Sequence, residues 1–180
     1  MSTPAATRAL TRLGRADERY ARCADFLDDE AAALDENRLD DWLGMLHPEI
    51  DYRVPIRISR ERAAGLTLSD GGYHFYEDLA SLKTRVERLA TDYAWAEDPP
   101  SRMRRFVSNV RVFAVEGSED MVVRSALLLY RERLDNPRPE IMCGAREDVL
   151  RAVGDVLLLA ERQVLLDHTV IGTHNLSMLL

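Results

Sequence analysis

Apolar positions between Asp17 and Asn37 recur at helical spacing: Tyr20, Cys23, Leu27, Ala31 and Leu34 share one stripe. Asp17 suits the N-cap and Asn37 suits the helix exit. Leu39, Trp42, Leu43 and Leu46 predict a second, shorter helix that Pro48 stops. The period then changes to two. Ile50, Tyr52, Val54, Ile56 and Ile58 alternate as in a half-buried strand, and Pro55 within the run predicts a bulge or an edge. Ser59 to Gly72 reads as a long polar loop, with Gly71-Gly72 as its hinge. Phe75, Leu79, Leu82, Val86, Leu89 and Tyr93 predict a third helix, and residues 94–102, with two prolines, an irregular connection. Four strands rich in Val, Leu, Ile and Tyr follow, over 106–115, 121–134, 140–153 and 156–167. Turn signals separate them at 117–120, 136–139 and Gly154-Asp155. The tail from Thr169 is irregular with an apolar end.

This order, with grouped helices and then hairpin-joined strands, predicts an α+β fold in which an antiparallel sheet is covered on one face by helices. No repeat, low-complexity stretch or linker divides the chain. Residues 1–16 read as a flexible arm and 17–180 as a single domain. The arm carries Arg8, Arg12 and Arg15 without an acid, but too little apolar content for a secretory signal.

Composition narrows the function. The chain has 180 residues and a net charge of −7, which disfavours a general nucleic-acid binder. No apolar run approaches the ~20 residues that span a bilayer, so no membrane partner is expected. Cys23 and Cys143 stand apart, outside any CxxC pattern, and read as reduced thiols of a cytoplasmic protein.

Candidate chemistry is sparse. A zinc or Rieske site needs close pairs of Cys or His, and His47, His74, His168 and His174 pair with neither cysteine. His168 and His174 beside Asp167 have the composition of a two-His, one-carboxylate triad, but nothing in the intervening segment makes them converge. There is no Gly-x-Ser-x-Gly elbow, P-loop or dinucleotide fingerprint. An acid–base pair in a pocket between sheet and helices is the remaining enzymatic reading, with Tyr20, His47, Asp51 and Tyr52 near it. Both tyrosines lie on apolar stripes, as core residues do, and Asp51 points away from Tyr52. Trp95 precedes Glu97, Asp98, Pro99 and Pro100, and then Arg102, Arg104 and Arg105. Trp and Arg are enriched at binding hot spots, so this segment is the candidate interface. Local ion pairing and a plain core tryptophan are the simpler alternatives for it.

Several stretches then become recognisable. Asp92-Tyr-Ala-Trp-Ala-Glu-Asp-Pro-Pro-Ser-Arg102, with Arg105-Phe-Val-Ser-Asn-Val-Arg-Val112, resembles the β (small) subunits of aromatic-ring-hydroxylating dioxygenases. So do Val123-Arg-Ser-Ala-Leu-Leu-Leu-Tyr-Arg131, Gly144-Ala-Arg-Glu-Asp-Val-Leu-Arg151, the tail from Leu165 to His168 with Asn175 to Ser177, and the early positions Phe26, Leu27, Glu30, Leu34, Asp35, Trp42 and Leu43. The biphenyl, cumene and phenylpropionate group is the nearest in character. The resemblance covers nearly everything from Asp17.

It implies a cone-shaped fold like nuclear transport factor two and scytalone dehydratase, with a curved sheet wrapped around helices. It also implies no cofactor and no catalytic residue in this chain. A partner α subunit would hold a Rieske [2Fe-2S] cluster and a mononuclear iron, in an assembly of three α and three β subunits. NADH or NADPH would supply electrons through a reductase. The reaction implied is cis-dihydroxylation of an aromatic ring in aromatic catabolism, with the β subunit mainly structural. His168 and His174 stand where many relatives have Gln and Lys, a departure that touches the contacts of the tail. The rival expectation is a stand-alone isomerase, dehydratase or cyclase of the same cone fold. An open apolar cavity with a convergent acid–base pair would favour the rival. An interior filled by bulky side chains would favour the scaffold.

Overall fold

The first helix begins where Asp17 accepts a hydrogen bond from the Arg19 amide, and it runs as α1 over Glu18–Asp35. In the computed structural model, which describes residues 9–58, 67–89, 101–133, 136–168 and 178–180, the remaining elements follow in chain order. A short strand β1 (Leu10–Arg12) precedes α1. After it come α2 (Leu39–Gly44), β2 (Leu46–Ile58), β3 (Thr67–Glu77), α3 (Leu79–Leu89), β4 (Arg102–Val115), β5 (Met121–Arg133), β6 (Asn136–Val153) and β7 (Val156–Leu166).

Helix α1 closes as expected at Asn37. The Asn37 amide donates to Leu34 O and the Arg38 amide to Ala33 O, while Asn37 takes a φ of 57°. These bonds satisfy carbonyls that a helix end otherwise leaves bare, and Asn tolerates the left-handed conformation they require. Cys23, Phe26, Leu27, Glu30, Ala33 and Leu34 form the buried stripe of α1.

All seven strands join one sheet in the order β1-β4-β5-β6-β7-β2-β3. Every pairing is antiparallel except β2 with β7, which run parallel. That pair is joined through the rest of the chain, so no tight hairpin constrains its direction. Bulges bend the sheet. One lies between Ser108 and Arg111 of β4, where Asn109 has a φ of 55°, and another lies at Pro55. An extra residue on one strand kinks it and increases its twist, which helps a sheet curl around helices.

The structure corrects several boundaries. Leu46 opens β2 instead of closing α2, because the Met45 carbonyl accepts from the Leu159 amide and draws the chain into the sheet. Phe75 belongs to β3 and pairs with Val54, so the third helix starts only at Leu79. The loop expected from Ser59 to Gly72 is strand from Thr67 onward, and Gly71, at a φ of 74°, lies in the irregular stretch opposite Pro55–Arg57. Pro55 marks a bulge as expected, but β2 is internal, flanked by β7 and β3. Asn136–Pro139 is the start of β6, not a turn, since Asn136 pairs with Arg133. Gly154-Asp155 does form the two-residue connection between Val153 and Val156, with Gly154 at a φ of 61°. Part of the span expected to be a flexible arm is ordered into the fold. Leu10–Arg12 pairs with Phe113–Val115 of β4, and Leu13 is buried in the core.

Candidate functional site

The interior between the sheet and α1 holds a quartet of charged side chains, three from the sheet and one from the helix, where an apolar core would be expected. Cross-strand register aligns Asp148 of β6, Arg162 of β7 and Tyr52 of β2 in one row. Ser125 and Arg146 pair in the next row. Glu30 descends onto them from the buried stripe of α1. Glu30, Arg146, Asp148 and Arg162 are each no more than 2% exposed.

The four charges cancel. Arg162 makes a two-pronged contact with Glu30, at 2.6 and 2.7 Å, and another with Asp148, at 2.8 and 3.0 Å. Arg146 lies 3.1 Å from Asp148 and 3.5 Å from Glu30, and donates to Ser125 Oγ at 3.3 Å. Trp42 Nε1 donates to Glu30 at 3.2 Å. Arg162 also donates to the Leu180 carbonyl at 3.1 Å. The Tyr52 hydroxyl both accepts from the Leu180 amide (2.8 Å) and lies 2.6 Å from its oxygen as donor. The tail from Met178 to Leu180 is thus held inside the cone.

Burial alone would push the Glu30 carboxyl up. The Arg162 and Arg146 guanidiniums, with hydrogen bonds from Arg162 and Trp42, outweigh burial and hold Glu30 below its ordinary range. Burial raises the Tyr52 phenol. Neither group is poised to exchange a proton near neutrality. Because the folded state lowers the Glu30 pKa, its stabilising share is fully present above the unfolded value of ~4.3 and is lost as pH falls through the lower folded value. Urea midpoints measured from about pH 7 to about pH 3 are therefore expected to drop on the acid side. A Glu30→Gln variant should show a shallower acid drop from a lower starting stability. An unchanged acid slope in that variant would rule Glu30 out as a contributor.

The expected acid–base candidates do not meet. Tyr20 donates to the Val110 carbonyl at 3.2 Å, and Tyr52 is a core residue as expected. Asp51 is half-buried and forms an ion pair with Arg53. His47 Nδ1 accepts from the Glu49 amide. Burial lowers the His74 pKa. His174 lies outside the described residues, so the 168/174 pairing is not placed. No group of three or more His, Cys, Asp or Glu among the described residues could hold a metal ion. Cys23 is buried, which pushes its thiol up to about 12.

The candidate interface divides. Trp95, Glu97, Asp98, Pro99 and Pro100 lie outside the described residues. Arg102 and Arg104 project from β4 to solvent. Arg105 turns inward: its guanidinium binds Asp35 at 2.7 Å and the Leu179 carbonyl at 2.7 Å, tying α1 and the tail to β4. Its ion partner among the described residues is the helix acid Asp35. On the outer face of the sheet, Phe106 of β4 pairs across Leu128 of β5 toward Cys143 of β6, and Ile141 lies one step away. Phe106, Leu128 and Ile141 are 56%, 40% and 52% exposed. Monomeric proteins seldom leave such a row uncovered.

Neither the ion quartet nor the apolar row was anticipated from residues alone. A signal for the first existed: Glu30 lies three residues from Leu27 and four from Leu34, squarely on the apolar stripe. Arg146 and Asp148 occupy alternate positions with Gly144 and Leu150, on the inward face of β6.

A sheet curled around α1, with a buried ion quartet between them, defines the cone-fold class. A family model described as the ring hydroxylating beta subunit matches residues 29–173, four-fifths of the chain. The chain is 33% identical to the β subunit of biphenyl 2,3-dioxygenase of Rhodococcus jostii over 153 residues, covering 82% of this chain and 81% of that one. Identity and coverage are the same for the β subunit of benzene 1,2-dioxygenase of Pseudomonas putida. Among solved structures, a chain of a naphthalene 1,2-dioxygenase with indole bound in its active site superposes with a TM-score of 0.80 at 27% identity, over 94% of this chain and 90% of that one. A protein of Novosphingobium aromaticivorans assigned as a scytalone dehydratase shares the fold at a TM-score of 0.64 and 14% identity, over 87% and 89% of the two chains. This chain belongs to the β-subunit family of aromatic-ring-hydroxylating dioxygenases, in which catalysis resides on the α subunit. The expected cone fold and family are both borne out.

Proposed function

We propose that this chain is the structural β subunit of a cytoplasmic, multicomponent Rieske non-haem iron dioxygenase that cis-dihydroxylates a small aromatic hydrocarbon. The buried, fully paired ion quartet carries this reading. Trp42, Tyr52 and Arg162 are buried beside the tail, and the carboxylates of Glu30 and Asp148 are bound by guanidiniums, unlike the free acid–base pair that a cone-fold enzyme of the dehydratase type would use. The aromatic class follows the relatives, which are named for biphenyl and benzene. The α subunit would carry the Rieske [2Fe-2S] cluster and the mononuclear iron, with electrons arriving from NADH or NADPH through a reductase. Three α and three β subunits are the proposed assembly. The segment from Trp95 to Pro100, Arg102, Arg104 and the outer row Phe106–Leu128–Ile141 form the proposed contact with the α subunit. Arg105 acts inside the chain.

Co-expression with an α subunit tests this. The purified chain alone is expected to show no iron absorbance and no turnover. The co-purified complex should show a Rieske spectrum that scales with the α subunit. A stoichiometric Rieske signal from the isolated chain, or failure of the two chains to associate, would overturn the proposal.

A further inference from the structure

Where β1, the turn into α1 and the β4 bulge meet, Arg12, Arg15 and Arg111 surround a pocket of about 300 Å³. Backbone pairing brings two of them to one face. Arg12 pairs with Phe113, and the Leu13 amide donates to the Val112 carbonyl at 2.9 Å, so Arg111 is the diagonal neighbour of Arg12 on the same side of the sheet. Diagonal positions lie ~7–8 Å apart, within reach of long side chains. Gly14 follows, and a Cβ there would meet nothing within 4 Å, so the space between β1 and the bulge stays open. A turn then closes from the Asp17 amide to the Gly14 carbonyl at 3.0 Å, which places Arg15 at the same corner.

All three arginines are exposed, and none forms an ion pair with a described residue. Asp17, the acid at the end of this turn, is taken by Arg19 at 2.8 Å. Arg111 also lies directly opposite Arg124 on β5, a like-charge pair that costs stability. Arg124 is relieved by Glu147 at 2.6 Å and by the ring of Phe113 at 5.1 Å, whereas Arg111 has no such partner among the described residues. Acids outnumber Lys and Arg by 31 to 24 in the chain, yet none of the described ones is set against these three. An anion arriving from outside would account for cations held together without an internal counter-charge.

We propose that this pocket binds a phosphate dianion, either free or as the terminal group of a small ester. The donor set selects the class. Each guanidinium presents parallel N–H groups that match the oxygens of a carboxylate or a phosphate in pairs. Two such forks exhaust the two oxygens of a carboxylate, whereas phosphate has oxygens for three. A phosphoryl group also carries about −1.5 to −2 charge near neutrality, the closer match to three cations. The pocket lies at the lower end of the ~300–1,000 Å³ range of ligand sites, which suits a small molecule. Leu13 is buried and Val110 and Tyr20 are half-buried, giving an apolar wall for the organic part of an ester. The Tyr20 hydroxyl donates to the Val110 carbonyl, so recognition of the anion rests on the arginines. The proposal is independent of the structural-subunit reading.

Calorimetric titration of the full chain with inorganic phosphate, and then with phenyl phosphate, tests it in about 0.05 M NaCl, where screening is weak. Saturable binding at a single site per chain is expected. Arg12→Gln and Arg111→Gln should each weaken it by about tenfold or more, the loss expected for a charge-assisted hydrogen bond. Arg111→Lys keeps the charge without the fork and should fall between wild type and Arg111→Gln. Acetate should bind more weakly than phosphate. Arg38, paired with Glu36 and Asp41, supplies the control: Arg38→Gln changes the net charge equally and should bind as wild type does. The substituted side chains are exposed, so thermal melts should stay near wild type and exclude misfolding. Tighter binding of phenyl phosphate would assign an ester that uses the apolar wall, and its exclusion would assign the free ion. Absence of saturable phosphate binding, or an equal loss in Arg38→Gln, would overturn the proposal. If the wild-type chain binds no phosphate while Arg12→Gln and Arg111→Gln lose the α subunit, the arginines belong to the subunit contact and the phosphate site falls.

Discussion

An Arg162→Met variant is expected to lose about 3–5 kcal/mol of folding free energy, because it leaves buried carboxylates without their principal counter-charge. Small domains have only about 5–15 kcal/mol in total, so much of the variant should accumulate unfolded or aggregated. The geometry explains the size of the effect. Arg162 bridges Glu30 on α1 to Asp148 on β6 with a two-pronged contact to each, and also reaches the Leu180 carbonyl. Without it, Arg146 must serve both acids, and its 3.5 Å approach to Glu30 is the longest of the set. The cost belongs to breaking the set, not to lacking it. A variant that replaces Glu30, Asp148, Arg146 and Arg162 together by apolar residues of similar volume is expected to recover much of the loss, since a complete buried ion set repays its desolvation poorly. Urea melts of the single variants and a double-mutant cycle on Glu30 and Arg162 would measure this. A loss below about 1 kcal/mol for Arg162→Met would mean that water reaches the quartet. One hypothesis for why ions stand here is specificity. Only one rotation of α1 brings Glu30 onto Arg162, so the quartet sets the angle at which helix meets sheet. If the all-apolar variant still folds with α1 in the same orientation, seen as an unchanged tail contact at Tyr52, that hypothesis fails.

A Gly144→Ala variant is expected to cost about 1–3 kcal/mol through overpacking. A Cβ at that position would stand 2.5 Å from the Leu165 carbonyl oxygen and 3.0 Å from two further backbone atoms of β7. Those atoms belong to a paired strand and cannot rotate aside, so β6 and β7 must separate. The same strands carry Arg146, Asp148 and Arg162 toward the interior, and a shift of a few tenths of an ångström there would loosen the quartet. Gly44 makes the control. It has nothing within 4 Å and ends α2, so Gly44→Ala should be neutral or slightly stabilising. A differential scanning measurement in which both variants melt together would remove the close-approach argument.

Periodicity alone located α1, α2 and the hairpin strands. It did so because a helix or strand that buries one face must repeat its apolar residues at 3.6 or 2. The caps at Asp17 and Asn37 and the turn at Gly154 were equally legible, since each depends on a local conformation that few residues adopt. The family match to a dioxygenase β subunit was also readable in the chain, through runs such as Gly144–Arg151. Long-range pairing decided the rest. Leu46 and Phe75 fit a helical period but are strand, because β7 and β2 offer them backbone partners that no local signal announces. Arg105 looked like a surface cation until the fold placed Asp35 beside it. Glu30, Arg146, Asp148 and Arg162 look like solvated charges when taken singly. Only the tertiary structure brings opposite signs within hydrogen-bond reach, and only that proximity makes their burial tolerable.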